Sequence, residues 1–389
     1  MLTKELDKKY IEGTYGRFDL LLTHGKGSRV YDENGKEYID MSSGIAVNSF
    51  GIADDEWIAA VTAQISKISH ASNLYYTEPC AKLAEILCER TGAEKVFFSN
   101  SGAEANECAI KTARLYAENT KGKDYYNIIT LKNSFHGRTV TTLAATGQEV
   151  FHEHFTPMTE GFIYVEANDE KALEEAVRSN KCAAIMMEPV QGEGGVMPLT
   201  KEFVKRARAL SEENGLLLIM DEVQTGNGRC GALYAYENFG ITPDIVSTAK
   251  GLGGGLPIGA TLFFKKAAGT LKSGMHGSTF GGNPVACAAA ISVISRIDEN
   301  LLNSVKEKSD YIFNSLKSCD GIKSVTGMGL MIGIETAADA SAVISGCIKE
   351  GVLPIKAKNK VRLLPALNIP MEDLIKAIET IKKVAKEML

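Results

Sequence analysis

A chain of 389 residues, 44% of them hydrophobic, has room for two domains and a large core, which excludes a peptide-sized module. Lysine and arginine total 43 against 48 acids, a net charge of −5, so the charge balance gives no reason to expect nucleic acid as a partner. The eight cysteines are scattered without paired spacing, the first ten residues carry acids where a secretory signal needs an apolar stretch, and no later run reaches the length of a membrane span; a reduced, cytoplasmic protein without a membrane segment is expected.

In chain order, residues 23 to 45 predict a short antiparallel piece: Ser28-Arg-Val-Tyr31, a turn at Asp32-Glu-Asn-Gly35, then Lys36 to Asp40. Helical patterns such as Cys80 to Cys88 and Lys171 to Val177 then alternate with apolar runs at 96–98, 127–131, 162–165, 183–187, 216–220 and 244–247. Those runs lack period-2 alternation, as strands buried on both faces do. The expected class is therefore α/β, with a mostly parallel central sheet flanked by helices. After residue 284 come two helical patterns, a run at Gly327 to Ile334, another helix, Arg362 to Leu364, and a closing helix from Met371 to Met388. A smaller α+β domain built from both chain ends is the economical reading: residues 1–48 and 285–389 around a large domain at 49–284.

In a parallel sheet ligands gather at the carboxyl ends of the strands, and each motif lies at such an end. At Asn100-Ser-Gly-Ala103 a strand runs into a helix whose N-terminus suits a single phosphate, although Ser101 alone is equally an ordinary N-cap. Neither dinucleotide nor P-loop glycine spacing is present there. In Phe135-His-Gly-Arg138 the aromatic offers a stacking face and Arg138 a fork for a carboxylate. His136 reads as structural, because no acid or nucleophile partner is visible for it. Glu188 and Glu193, at the rim of a buried strand, need partners, and arginine is the natural one. Asp221 ends one apolar run and Lys250 another, before four glycines in the five residues Gly251 to Gly255. A lysine that forms an imine must spend time neutral, and a carboxylate facing a heteroaromatic nitrogen keeps that nitrogen protonated. A salt bridge between neighbouring strands is the plainer alternative for the same two residues.

Six segments in this order, beginning at Ser99, Phe135, Glu188, Asp221, Ser247 and His276, make the chain resemble class III pyridoxal-phosphate-dependent aminotransferases of the ornithine/acetylornithine type, with fold type I architecture, from about Tyr15 onward. The resemblance implies pyridoxal 5'-phosphate as cofactor, Lys250 as its covalent anchor and proton carrier, and Asp221 on the pyridine nitrogen. It places Gln224 at the ring hydroxyl, Phe135 on the ring face, and the N–H groups of Gly102 and Ala103 at the phosphate. Ser101, Glu188 and Val223 complete the cofactor set, and Thr279 reaches the phosphate of a neighbouring subunit in a symmetric dimer. For substrate it implies Tyr15, Arg138, Ser278 and Arg362, with Glu193 pairing Arg362 when the donor presents a terminal amine without a carboxylate.

Within that family, the stretches at Tyr75–Pro79, Met328–Glu335 and Arg362–Ile369 look most like enzymes of arginine biosynthesis that transfer an amino group from N-acetylornithine to 2-oxoglutarate. Succinylornithine, ornithine, 4-aminobutyrate and N-succinyldiaminopimelate remain alternative donors, and a pyridoxal-phosphate aminomutase or a non-catalytic binding protein are readings from other classes. Asn227-Gly-Arg-Cys230 and Pro365-Ala366 depart from the commoner Met/Ile-Gly-Arg-Thr and Pro-Pro.

Overall fold

The computed structural model describes residues 2–389. Its centre is a seven-stranded sheet in the order Lys95–Ser99, Gly259–Phe263, Ile245–Thr248, Leu217–Asp221, Cys182–Met187, Asn127–Leu131 and Phe162–Val165. Every neighbouring pair is parallel except those made by Gly259–Phe263. The apolar runs become strands because both sheet faces are covered. In Leu217–Asp221 the side chains of Leu218 and Met220 enter one core, while Leu217 and Ile219 enter the other. Cys182–Met187 divides likewise, with Ile185 and Met187 on one side and Ala184 and Met186 on the other. A strand buried on both faces has no reason to alternate in polarity. The antiparallel strand Gly259–Phe263 is absent from the sequence reading, being short and preceded by the glycine run and Pro257.

The chain ends build the second core. Strands Leu22–Lys26, Arg29–Asp32 and Glu37–Asp40 form an antiparallel piece, and Val352–Leu353 joins its edge in parallel, with Val352 opposite Ile39. Ile39 and Met41 are thereby packed among Ile332, Leu363 and Ile378 from the C-terminal part. Asp373, at the start of helix Met371–Glu387, accepts from Ser28 Oγ at 2.5 Å and from Arg29 Nη2 at 2.7 Å, which ties the two ends together. The run expected at Gly327 to Ile334 is a hairpin, Ile322–Met328 with Met331–Thr336. It turns at Gly329, φ 58°, where a Cβ would lie 2.4 Å from the Arg229 carbonyl. Past residue 285, helix Pro284–Ile294 still packs in the large core through Ala286, Cys287, Ala290 and Val293. The smaller core takes over only from Val305.

No described helix is long and apolar enough to cross a membrane. All eight cysteines are free, five of them buried.

Ile219 lies in the central strand with no exposed surface. Ile219→Ala is expected to lower the unfolding free energy by about 2–5 kcal/mol, measured by urea denaturation, because the surrounding parallel strands cannot collapse into the void.

Candidate active site

A cleft of about 420 Å³ opens beyond the carboxyl ends of the central strands, lined among others by Gly102, Phe135, Glu188, Asp221 and Lys250. Parallel register explains the convergence. Asp221 is opposite Ser247 on one neighbouring strand, and Met220 is opposite Met187 on the other. Glu188 and Lys250 therefore leave their strands on either side of Asp221.

Asp221 is 3% exposed. Its Oδ2 accepts from Asn106 Nδ2 at 2.8 Å and lies 2.7 Å from His136 Nδ1, and its Oδ1 accepts from the Val223 N–H at 3.1 Å. A carboxylate offers roughly four acceptor positions, so about one remains for a donor in the cleft. Because an ionised carboxylate only accepts, the network assigns the imidazole proton to Nδ1. His136 thus does have an acid partner, contrary to the sequence reading. The pairing joins residues 85 apart in the chain, which no local pattern reveals, and Asn106 was missed for the same reason.

Lys250 sits two residues past the strand end, at φ 46°, half-buried. Among the described residues, its Nζ has no hydrogen-bond or ion-pair partner. Burial pulls its ammonium below the usual lysine range; Glu193 opposes this, and the nearby Arg362 cation adds to it. An unpartnered amine with a lowered pKa is the form that attacks a carbonyl carbon.

Helix Gly102–Lys121 begins at the rim of the cleft, capped by Ser101 Oγ, which accepts from the Glu104 N–H. The N–H groups of Gly102 and Ala103 meet no protein acceptor among the described residues. They stand at the positive end of a helix of 20 residues, a cradle for one phosphate-sized anion. Gly102 must be glycine, since a Cβ there would lie 2.6 Å from Val223 Cγ1. Phe135 lines the same cleft half-buried, edge-on to Phe151 at 6.0 Å. Together the free amides, the aromatic face, the open acceptor position on Asp221 and the unpartnered lysine fit a planar, phosphorylated, aldehyde-bearing aromatic ring.

The two rim acids meet different fates. Glu188, 5% exposed, accepts from the N–H groups of Phe135 at 2.8 Å and Gly192 at 3.2 Å. Among the described residues no arginine pairs with it, against expectation. Burial pushes its carboxyl up to about 7; His136 opposes the rise and the Asp221 carboxylate adds to it. Glu193 does have an arginine. Arg362 Nη1 donates to its Oε1 at 2.6 Å and Nη2 to Oε2 at 3.4 Å. Burial raises the Glu193 carboxyl, and Arg362 more than offsets that, leaving it below the usual range. Arg362, 2% exposed, also donates to Gln224 Oε1 at 3.2 Å. Arg138 stands exposed at the mouth with its guanidinium 4.1 Å from the Phe151 ring.

Glu193 and Arg362 meet this cleft through Gln224, and Tyr15, Ser278 and Thr279 lie apart from it. Tyr15 is 73% exposed and carries Arg17 over its ring. Ser278 Oγ accepts from Asn100 Nδ2 at 3.1 Å and from the Gly281 N–H at 3.0 Å. With Thr279 it lines a neighbouring depression of about 530 Å³ that shares Asn100 with the cleft.

Fold and cleft together have the parts to hold a phosphorylated aromatic cofactor. The chain belongs to the class-III aminotransferase family, whose pattern, Aminotransferase class-III, matches residues 10–385. It is 49% identical to the acetylornithine aminotransferase of Haemophilus ducreyi, over 99% of this chain and 98% of that one. Among solved structures it is similar to the N-acetylornithine aminotransferase of Stenotrophomonas maltophilia K279a, with TM-score 0.85, 35% identity and coverage of 98% and 97%. It is also similar to the ornithine aminotransferase of Toxoplasma gondii, which has partial occupancy of pyridoxal phosphate at its active site; here the TM-score is 0.94, the identity 32% and the coverage 99% and 94%.

The raised carboxyl of Glu188 has a thermodynamic signature. A folded-state value of about 7 against an ordinary 4.5 means that the stability gained by the protonated form is complete below about pH 4.5 and lost as pH rises through 7. Glu188→Gln removes that titration, so relative to the wild type its unfolding free energy should improve between pH 5 and pH 8, by on the order of 1–3 kcal/mol in urea titrations. A difference that does not change with pH would refute this.

Proposed function

We propose that the chain transfers the terminal amino group of N2-acetyl-L-ornithine to 2-oxoglutarate by a ping-pong cycle on pyridoxal 5'-phosphate, giving N-acetyl-L-glutamate 5-semialdehyde and L-glutamate, a step of arginine biosynthesis. The observation that carries it is the Arg362–Glu193 pair at 2.6 Å beside an unpartnered Lys250. An arginine masked by a protein carboxylate suits a pocket that must accept a terminal amine bearing no carboxylate and then an α-amino acid that has one. The acetylornithine aminotransferases similar to this chain support the choice of donor.

Each residue has a physical task in this reading. Bound pyridoxal phosphate supplies an electron sink that stabilises negative charge at the substrate carbon bearing the amine. The free N–H groups of Gly102 and Ala103 hold the phosphate, with Ser101 at the cap and Val223 packed against Gly102. Phe135 covers one ring face, and Asp221 holds the proton on the ring nitrogen. Glu188, its carboxyl raised to about 7 by burial, can face the ring oxygen beside Gln224 in its protonated form without adding a second buried negative charge. Lys250, lowered in pKa by burial, takes and returns the proton at the substrate carbon. Arg138 receives the carboxylate remote from the reacting amine, and Arg362 the α-carboxylate of glutamate once Glu193 withdraws. Tyr15, Ser278 and Thr279 complete the pocket, Thr279 at the cofactor phosphate of a second subunit.

A symmetric homodimer in the cytoplasm is part of the same proposal. Its support is the exposed apolar surface beside Ser278, where Leu74 is 83% and Tyr75 73% exposed around a depression of about 690 Å³ and Phe280, 58% exposed, lines the neighbouring one. Light scattering that returns a monomer mass would refute the dimer.

Adding pyridoxal phosphate to the purified protein is expected to produce a yellow colour that changes on adding glutamate, and a protein that stays colourless refutes the cofactor. Lys250→Ala should retain the cofactor but lose turnover by about 10³-fold or more. Glu193→Gln should slow the half-reaction with N-acetylornithine about tenfold more than that with glutamate, and equal losses in single-turnover assays would refute the mask. Side-by-side kcat/KM values for N-acetylornithine, N-succinylornithine, ornithine and 4-aminobutyrate test the donor; N-acetylornithine is expected to lead.

A further inference from the structure

The turn that carries Lys250 is gripped by side chains from three separate segments. Asn227 Nδ2 donates to the Ala249 carbonyl at 3.2 Å and to Thr248 Oγ1 at 3.0 Å. Ser49 Oγ donates to the Gly251 carbonyl at 3.1 Å, and Trp57 Nε1 to that of Gly253 at 2.9 Å. The Ala249 carbonyl also accepts the Leu252 N–H at 2.9 Å, closing the short helical turn Lys250–Leu252. Of the three grips, that of Asn227 acts on the peptide immediately before the lysine.

We propose that Asn227 is a positioning residue for Lys250, acting through the carbonyl of Ala249; the proposal rests on the reading of Lys250 as the reacting amine. Lys250 is held at φ 46°, a left-handed conformation that a side-chain-bearing residue keeps only when its surroundings enforce it. Because Nζ has no partner among the described residues, its aim depends on the backbone beneath it. Asn227 is itself left-handed, at φ 57°, where asparagine is well tolerated, and it is 2% exposed.

Its chemistry points the same way. The Asn227 Oδ1 is buried with no hydrogen-bond partner, so the residue carries an unsatisfied acceptor that a merely structural apolar side chain would avoid. Exchanging the amide ends would turn Oδ1 toward the Ala249 carbonyl, two acceptors facing one another, so the donor belongs where it stands. The residue after the lysine, Gly251, is closely packed against the same grips. A Cβ there would lie 2.8 Å from Ser49 Oγ and 3.4 Å from Asn227 Cβ.

The test uses two variants and a readout independent of turnover. Asn227→Leu removes the donor at similar volume, and Asn227→Gly removes it while accepting φ 57° without strain. Competitive labelling of the cofactor-free enzyme with a limiting acylating reagent, followed across pH by mass spectrometry, reports the midpoint at which Lys250 becomes reactive. In both variants that midpoint is expected to rise toward an ordinary lysine, because a loosened turn lets Nζ reach water. With pyridoxal phosphate and substrates, kcat should fall on the order of tenfold while KM stays within about threefold. Either an unmoved Lys250 midpoint or an unmoved kcat in Asn227→Gly overturns the proposal, and that variant alone decides if Asn227→Leu does not fold. A wild-type protein that stays colourless with pyridoxal phosphate would overturn the cofactor reading instead, and the labelling would still decide whether Asn227 holds the lysine.

Discussion

The cleft depends on keeping one carboxylate charged where water is nearly excluded. An ionised acid at 3% exposure is sustainable only if its hydrogen-bond positions are filled, and Asp221 fills three of them from His136, Asn106 and the Val223 N–H. Once that charge is fixed, its neighbours must adjust. Glu188 is buried beside it, and burial first, with the Asp221 charge adding to it, moves its carboxyl to about 7. Glu193, farther toward the small-domain side, keeps its charge by pairing with Arg362. The two rim acids thus differ by their surroundings: burial with only backbone amides as donors leaves Glu188 raised, and the Arg362 cation holds Glu193 low.

Topology makes this possible without long-range coincidence. The three strands that end at Met187, Asp221 and Thr248 are neighbours in one parallel sheet. Parallel strands present their carboxyl ends at the same edge, so residues from three well-separated stretches of chain converge within a few ångströms. The antiparallel strand Gly259–Phe263 then fills the gap between Ile245–Thr248 and Lys95–Ser99, bringing the head of helix Gly102–Lys121 to that edge. Packing there is close: a Cβ on Gly259 would lie 2.3 Å from the Ser101 carbonyl.

This geometry also explains what could be read from the sequence. Six strands were legible because each is a short apolar run bounded by helical patterns, and Asp221 and Lys250 stood out as charges at the ends of such runs. The seventh strand was not legible, since Gly259-Ala-Thr-Leu-Phe263 follows a glycine-rich turn and has no helix between it and the preceding strand. The partners of Asp221 were hidden for a different reason. Asn106 and His136 lie 115 and 85 residues away from it, and each sits in a motif with a plausible local role of its own. The partner of Glu188 was misjudged because backbone N–H groups carry no sequence signal, whereas arginines do. Asn227 was visible as a departure from the family pattern, but only the bond to the Ala249 carbonyl gives the departure a meaning.

The Arg362–Glu193 pair is asymmetric in a way that bears on the proposed cycle. Arg362 has a side chain only 3% exposed, whereas that of Glu193 is 32% exposed. A buried guanidinium left without an anion would be costly, so it must always face a carboxylate. The more exposed acid can recover its solvation in water. Exchange of Glu193 for a substrate carboxylate therefore conserves the charge count around Arg362, and the cost falls on the partner best able to bear it. Gln224 Oε1 also accepts from Arg362, at 3.2 Å, a contact that would hold the guanidinium while its anion changes. Gly192 allows that closeness, because a Cβ there would lie 2.6 Å from the same oxygen. In the proposed cycle the acid on its glycine-flanked loop would move and the arginine on the strand Lys360–Leu363 would stay, so that one pocket could recognise two substrates of different length.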